Sequence, residues 1–238
     1  MKIPILMYHQ IDVPPARGTR LRGLIVAPSS FAWQMRLLKW FGYRGLSMCD
    51  LEPYLRGEKT GKVVGITFDD GYQNNLVHAL PVLKKFGFTA TCYGVSNLLG
   101  GTNRWDHGIV AEKPLMTIEE WRSWHQAGMD IGSHTRNHAK LTELPPDEAR
   151  SEIAHSKIEL EQALGCEVLH FCYPYGSYAP EHCGMAQQAG YATATTTQRG
   201  RVQANDDLFK LKRIMVARAT NPLQFCAKIF SRYEDVRG

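Results

Sequence analysis

The chain has 238 residues, 28 Lys+Arg against 23 Asp+Glu for a formal charge of +5, 44% hydrophobic residues, 21 Gly and 12 Pro. That composition excludes disorder, collagen-like repeats and a coiled coil, and the length suits one large barrel as well as two small domains. The positive charge is modest and forms no long Lys/Arg block, so nucleic acid is not an expected partner, whereas a small anionic substrate is allowed.

Taken in chain order, short apolar runs alternate with helical patterns, the signature of parallel strands joined by crossover helices. The first run, Ile3 to Tyr8, meets His9, Gln10 and Asp12 before it could form a signal-peptide core or a membrane span. A cytosolic chain without a transmembrane segment is therefore expected. Further strands are expected at Lys62 to Phe68, Thr89 to Val95, Met129 to Ser133, Val168 to Tyr173, Ala192 to Thr196 and Leu211 to Val216. Between them, Ser30 leads Phe31, Met35 and Leu38 before Gly42, and a pattern from Asn74 to Phe86 contains Pro81, so that helix begins late or kinks. Thr117 with Glu120 forms a capping box before Gly128. Pro146 opens a helix that stops at Gly165, Pro180 opens one that stops at Gly190, and Asn221 with Pro222 starts the last. The six cysteines show no C-x-x-C pairing and read as free thiols. No repeat or linker interrupts this order, so residues 1–238 read as a single α/β domain, a distorted (β/α) barrel of seven strands. An open doubly wound sheet is the alternative, because both bury their strands on two faces.

Three of the strand ends carry candidate chemistry. Asp69 and Asp70 follow the second strand directly, with Gly71 for the turn; adjacent carboxylates diverge, so one can hold a metal while the other faces a reacting water. A D-D-G triplet alone also reads as a helix-capping turn. After the fourth strand, His134 and His138 stand four apart, a spacing that lets two imidazoles converge on one ion if the segment is a helical turn. After the fifth, Cys172-Tyr173-Pro174-Tyr175-Gly176 offers a loop whose backbone N–H groups could face a developing oxyanion, with Tyr173 and Tyr175 as walls. A carboxylate and two imidazoles on neighbouring strand ends supply the three-ligand set of a catalytic divalent metal with an open position.

These motifs resemble the polysaccharide deacetylases of carbohydrate esterase family 4, also called the NodB-homology domain. T-F-D-D-G at Thr67 to Gly71, H-T-x-x-H at His134 to His138 and the Y-P-Y-G of the third loop stand in the family's order. The resemblance covers nearly the whole chain and implies a distorted (β/α)7 barrel that hydrolyses an N-acetyl group from an amino sugar. It implies Asp69 as general base, Asp70, His134 and His138 as metal ligands, and the Tyr175 amide as oxyanion donor. Zn is the default ion, while two His and one carboxylate also suit Co, Ni or Fe(II). Two departures stand out. Cys172 occupies the place where many members have an Arg, so the cation beside Asp69 must come from elsewhere; Arg218, at the end of the last strand, is the candidate, with Arg213 as runner-up. The usual C-terminal His is also absent, but P-I-L-M-Y-H resembles the circularly permuted exopolysaccharide deacetylases, which gives His9 the general acid's role.

The remaining expectations concern the substrate. Arg17, Arg20 and Arg22, on the loop after His9, are candidates for the phosphate of a sugar carrier, which would put the chain at the inner face of the membrane. Trp105 could stack on a sugar ring. Competing readings are a deformylase of a lipid-linked amino sugar and a carbohydrate-binding module that retains the fold. The Phe225, Ile229 and Phe230 stripe reads as core packing rather than peripheral membrane contact, and His78, His107, His125, His155, His170 and His182 read as surface or helix residues.

Overall fold

A computed structural model describes residues 2–204 and 206–236. Its strands are β1 (Ile5–Tyr8), β2 (Gln10–Ile11), β3 (Ile25–Val26), β4 (Arg44–Leu46), β5 (Val63–Phe68), β6 (Thr91–Gly94), β7 (Asp130–Ser133), β8 (His170–Cys172), β9 (Thr193–Arg199) and β10 (Leu211–Met215). The larger sheet runs β1-β10-β9-β8-β7-β6-β5, and β5 pairs back onto β1, so seven parallel strands close into a barrel. This closure excludes the open sheet. On one edge of the closing strand, Leu6 pairs with Ile214, and on the other Ile5 to Tyr8 lie beside Gly65 to Phe68.

The two-residue strands β2 and β3, which pair with each other, were not expected, nor were β4 and the helix after it. The three-residue β4 pairs with the first half of β5, while β6 pairs with its last residues. It leads into α2 (Met48–Leu55), which Ser47 caps by accepting from the Asp50 amide and which tolerates Pro53 in its interior. Met48, Leu51 and Leu55 pack with Ile5, Val63 and Leu211, the first residues of three barrel strands, so α2 closes the barrel's N-terminal end. A buried aliphatic side chain contributes ~1.5–3 kcal/mol, which is why these short elements hold.

The other helices are α1 (Pro28–Trp40), α3 (Leu80–Phe86), α4 (Ile118–Gln126), α5 (Pro146–Leu164), α6 (Pro180–Gln188) and α7 (Pro222–Phe230). The Thr117–Glu120 capping box forms as expected, and Asn221 with Gln224 makes another. Pro81 does delay α3: the residues before it, Asn75–Ala79, form a wide π-helical turn, and the proline falls in the first turn of α3, where its missing N–H costs nothing. Phe225 and Ile229 are buried against the core, as the stripe implied. His170 is neither at the surface nor in a helix, its ring lying inside β8 beside Thr193 Oγ1, whereas His182 is a helix residue as expected, its Nδ1 accepting from the Ala179 amide at the start of α6. All six cysteines are free thiols. Among the described residues, no helix is long and apolar enough to cross a membrane.

Candidate metal centre and active-site cleft

Because the barrel strands are parallel, their carboxyl ends share one rim, and the motif loops meet there. β5 delivers Asp69 and Asp70. Asp70 adopts φ 77° and Gly71 φ 74°, so two successive left-handed residues swing the adjacent carboxylates apart. Gly71 is required twice over, since a Cβ there would lie 2.8 Å from the Trp121 ring.

Asp70 turns toward β7. Its Oδ1 lies 3.4 Å from His134 Nε2 and 3.3 Å from His138 Nε2, and all three residues are buried. The two imidazoles do not converge through a helical turn, as their spacing suggested. Residues 134–138 form a non-helical turn with Thr135 at φ 65° and His138 at φ 58°, which brings the ring centroids to 4.9 Å. Left-handed conformations cost non-glycine residues about 1–3 kcal/mol each, so this turn must be held from outside. Glu152 of α5 holds it: its Oε2 accepts from the amides of Arg136 and Asn137, each at 3.0 Å, and its Oε1 accepts from the Asn137 side chain.

The three ligand atoms fit a divalent cation. Both Nε2 atoms face one carboxylate oxygen, and the ligand atoms of Asp70, His134 and His138 lie within 4.8 Å of one another. The far nitrogen of His134 lies 2.7 Å from the Cys172 carbonyl, which makes Nδ1 the protonated atom and leaves the Nε2 lone pair for an ion. Burial pushes the His138 pKa down, favouring the neutral ring that ligation requires.

Asp69 turns the other way, into the barrel, where Arg213 meets it with two parallel hydrogen bonds of 2.6 and 2.8 Å. This corrects the expectation for Arg218, which is exposed beyond the end of β10. The Arg213 guanidinium is fully buried, and its remaining hydrogens go to Thr67 Oγ1, the Thr196 carbonyl and Cys172 Sγ. The cation missing from the third motif thus arrives from β10 and rests on the thiol that stands in that place. Burial opposes ionisation of Asp69, but the guanidinium outweighs it and holds the carboxyl below its ordinary range.

His9 closes the opposite side, with Nε2 3.9 Å from Asp69 Oδ2. Asn75, buried in the wide turn before α3, fixes the backbone there: its Nδ2 donates to the His9 carbonyl and its Oδ1 accepts from the Ile11 amide. The cleft between these groups, about 140 Å³, is lined by His9, Asp69, Asp70, His134, His138, Trp105, Tyr175 and Thr197, with Leu21, Leu24 and Asp106 at its edge.

Trp105 stacks on the His138 ring at 4.3 Å, and Tyr175 approaches the same ring edge-on at 4.6 Å. Tyr175 has φ 59°, and Gly176 follows at φ 68° where a Cβ would collide with Thr197 Oγ1. Burial first, then Asp106 and Asp70, push the Tyr175 phenol up to about 12, so it remains a neutral wall. Tyr173 is no wall of the cleft. Its ring is buried against Tyr178 and its hydroxyl donates to the Phe209 carbonyl. The loop after His9 does reach the rim, but it turns Leu21 and Leu24 into the cleft rather than its arginines. Arg17 and Arg20 are exposed, Arg20 lines a neighbouring hollow with Tyr72 and Lys113, and Arg22 Nε donates to the Pro15 carbonyl. Leu21, Leu24, Asp106, Asn75 and Glu152 carried no motif by which the sequence could single them out.

A closed parallel barrel with this carboxylate–imidazole rim places the chain in the polysaccharide deacetylase family, whose profile matches residues 56–194. Among named proteins, the chain is similar to YxkH of Bacillus subtilis (strain 168), 33% identical over 232 residues that make up 97% of this chain and 77% of that one. It is 25% identical over 192 residues to a poly-beta-1,6-N-acetyl-D-glucosamine N-deacetylase of Staphylococcus epidermidis, spanning 76% of this chain and 65% of the relative. Among solved structures, the deacetylase PplD of Streptococcus pyogenes, in complex with acetate, superposes with a TM-score of 0.84 at 30% identity, covering 96% of this chain and 98% of that one. IcaB from Ammonifex degensii superposes with a TM-score of 0.80 at 25% identity over 96% of this chain and 97% of that one.

Proposed function

We propose that this chain is a metal-dependent hydrolase that removes the N-acetyl group from an amino sugar, with β-1,6-linked N-acetylglucosamine polymers as the leading substrate class. The observation that carries the reading is the division of labour on one rim: Asp70, His134 and His138 face each other as a ligand set, while Asp69, paired with Arg213, and His9 flank the same cleft. The names of the staphylococcal relatives supply the polymer.

The residues divide the reaction between them. When bound, a divalent ion, Zn by default and Co, Ni or Fe(II) as alternatives, supplies Lewis acidity to water and to the acyl carbonyl. Asp69, ionised by its guanidinium partner, accepts a proton from the attacking water as the water oxygen bonds to the carbonyl carbon. The Tyr175 amide, on the left-handed turn of the third motif, is the candidate donor to the oxygen that gains charge. His9 gives a proton to the nitrogen as the C–N bond breaks, so acetate and a free amine leave. Trp105 and Tyr175 flank the cleft with rings on which a pyranose can stack, and the two leucines exclude water.

The test joins metal analysis to mass spectrometry. Asp70→Ala, His134→Ala and His138→Ala should each stay folded by circular dichroism, lose bound divalent metal and lose the deacetylation of β-1,6-linked oligomers, read as the fall in oligomer mass when acetyl is replaced by hydrogen and as acetate released. Full metal occupancy in any one variant removes that residue from the ligand set. An unmodified oligomer after incubation with metal-loaded wild-type protein overturns the substrate reading.

A further inference from the structure

The formal charge of +5 conceals a segregation. Residues 13–49, 71–105 and 208–233 contain no Asp or Glu at all, yet they carry 15 of the 28 cations; the rest of the chain holds 13 cations against all 23 acids. These three stretches are distant in sequence and adjacent in space, because β10, β1 and β5 are consecutive in the barrel and their helices α7, α1 and α3 cover that side. Trp33 of α1 meets Phe225 of α7 at 5.6 Å, and Phe41 meets Phe230 at 4.6 Å, so the two helices form one wall.

The outer face of that wall is apolar as well as cationic. Leu223 is 84% exposed, Trp40 79% and Phe41 41%. Between the helices runs a groove of about 320 Å³ lined by Trp33, Arg36, Leu37, Trp40 and Pro222. Arg36 lines the groove, Lys39 of the same helix lies over the Phe88 ring, and Lys84 and Lys85 of the neighbouring α3 are exposed; among the described residues none of the four is in an ion pair. Neither the groove nor its cations belong to the catalytic rim.

We propose that the α1–α7 wall docks the protein on an anionic lipid bilayer, with Trp40 and Leu223 entering the interfacial region and the unpaired cations resting on the headgroups. Charge complementarity selects this occupant. A second copy would set the same exposed, unpaired cations against each other, whereas an anionic bilayer neutralises them and takes up the aromatic and aliphatic side chains together. The acid-free sector continues upward into the loop that borders the cleft, so docking would hold the catalytic rim beside the membrane surface.

The experiment needs no glycan, so its outcome is independent of the deacetylase reading. Purified protein is co-sedimented with vesicles of phosphatidylcholine alone and with vesicles containing added phosphatidylglycerol. Binding is expected only with the anionic lipid and should fall steeply with salt. The double variant Arg36→Glu, Lys39→Glu should weaken it at least tenfold, since each cation near such a surface contributes about fivefold. Trp40→Ser combined with Leu223→Ser should weaken it comparably, with Tm unchanged, while Lys59→Glu, in an acid-bearing segment, should not. Absence of binding to anionic vesicles overturns the proposal. Loss on charge reversal with no effect of the Trp40 and Leu223 changes would point to a soluble polyanion instead, and a Trp40-dependent dimer without vesicle binding would assign the wall to self-association.

Discussion

Arg213 places every guanidinium hydrogen bond it makes inside the barrel, and two of them fall on Asp69. Removing such a partner leaves a buried carboxylate uncompensated, at a cost of about 3–5 kcal/mol. Arg213→Met should therefore lower both Tm and kcat. Because the guanidinium holds the Asp69 pKa down, its loss should move the acidic limb of the kcat/KM profile to higher pH; an unmoved limb would show that Asp69 is not the group titrating there. His9→Ala should keep its metal and fold but lose about 100- to 10,000-fold in kcat, the usual contribution of a general acid. Near-normal turnover would move the search to another donor on the rim. The parity of β10 contained the right answer for the cation: Leu211 and Arg213 share a face, both are buried, and Lys212 between them is exposed. Arg218 looked nearer the rim only because the sequence does not show that the strand ends at Met215.

The turn that carries the two imidazoles depends on an element from elsewhere in the chain. Glu152 is the external brace for two left-handed residues, so Glu152→Ala should free the amides of Arg136 and Asn137 and let His138 drift. Outer supports of this kind are worth about 10- to 100-fold in metal affinity, measurable by titrating metal-free protein with Zn or Co. Glu152→Gln keeps an accepting oxygen and should recover much of the loss. Equal affinity in wild type and Glu152→Ala would show that the turn sustains itself. The sequence disclosed Asp70, His134 and His138 as a candidate ligand set because their types and order are diagnostic, but it could not disclose Glu152, one of several acids on an amphipathic helix. It also hid β4 and α2. A three-residue strand is too short for a period to register, and Pro53 argues against a helix that tertiary packing nonetheless stabilises.

At the scale of the whole molecule, the barrel is fastened by charge as well as by strand pairing. Asp235 accepts from Lys2 and Arg201, and the buried Glu234 accepts from Arg199 and Lys228, tying the last described turn to the first strand's approach and to β9. Burial disfavours ionised Asp235, yet its partners hold the pKa well below the ordinary value. A depressed carboxylate stabilises above its unfolded pKa and stops doing so as pH falls through its folded one. Asp235→Asn should lower Tm by about 3 °C at neutral pH, and the difference from wild type should shrink in acid. A constant difference across pH would mean that the carboxylate's charge is not what fastens the turn. Seven strands and their helices were legible because each long apolar run sits between recognisable caps. The one-sided distribution of cations was not, because it exists only once β10, β1 and β5 lie side by side.

That adjacency also fixes an order of events in time. Synthesised from its amino end, the chain makes His9 before any other group of the cleft, and β1 can pair with β5 once some sixty residues more have emerged. Its other edge stays open until β10 arrives, about two hundred residues after β1 itself, because Leu6 pairs with Ile214. The same late strand brings Arg213 to Asp69. The contacts that seal the barrel thus span most of the chain, and separations of that size slow folding while their absence leaves a hydrophobic strand edge exposed. Until that strand arrives Asp69 is without its guanidinium partner, and the walls of the cleft are complete only when the barrel closes.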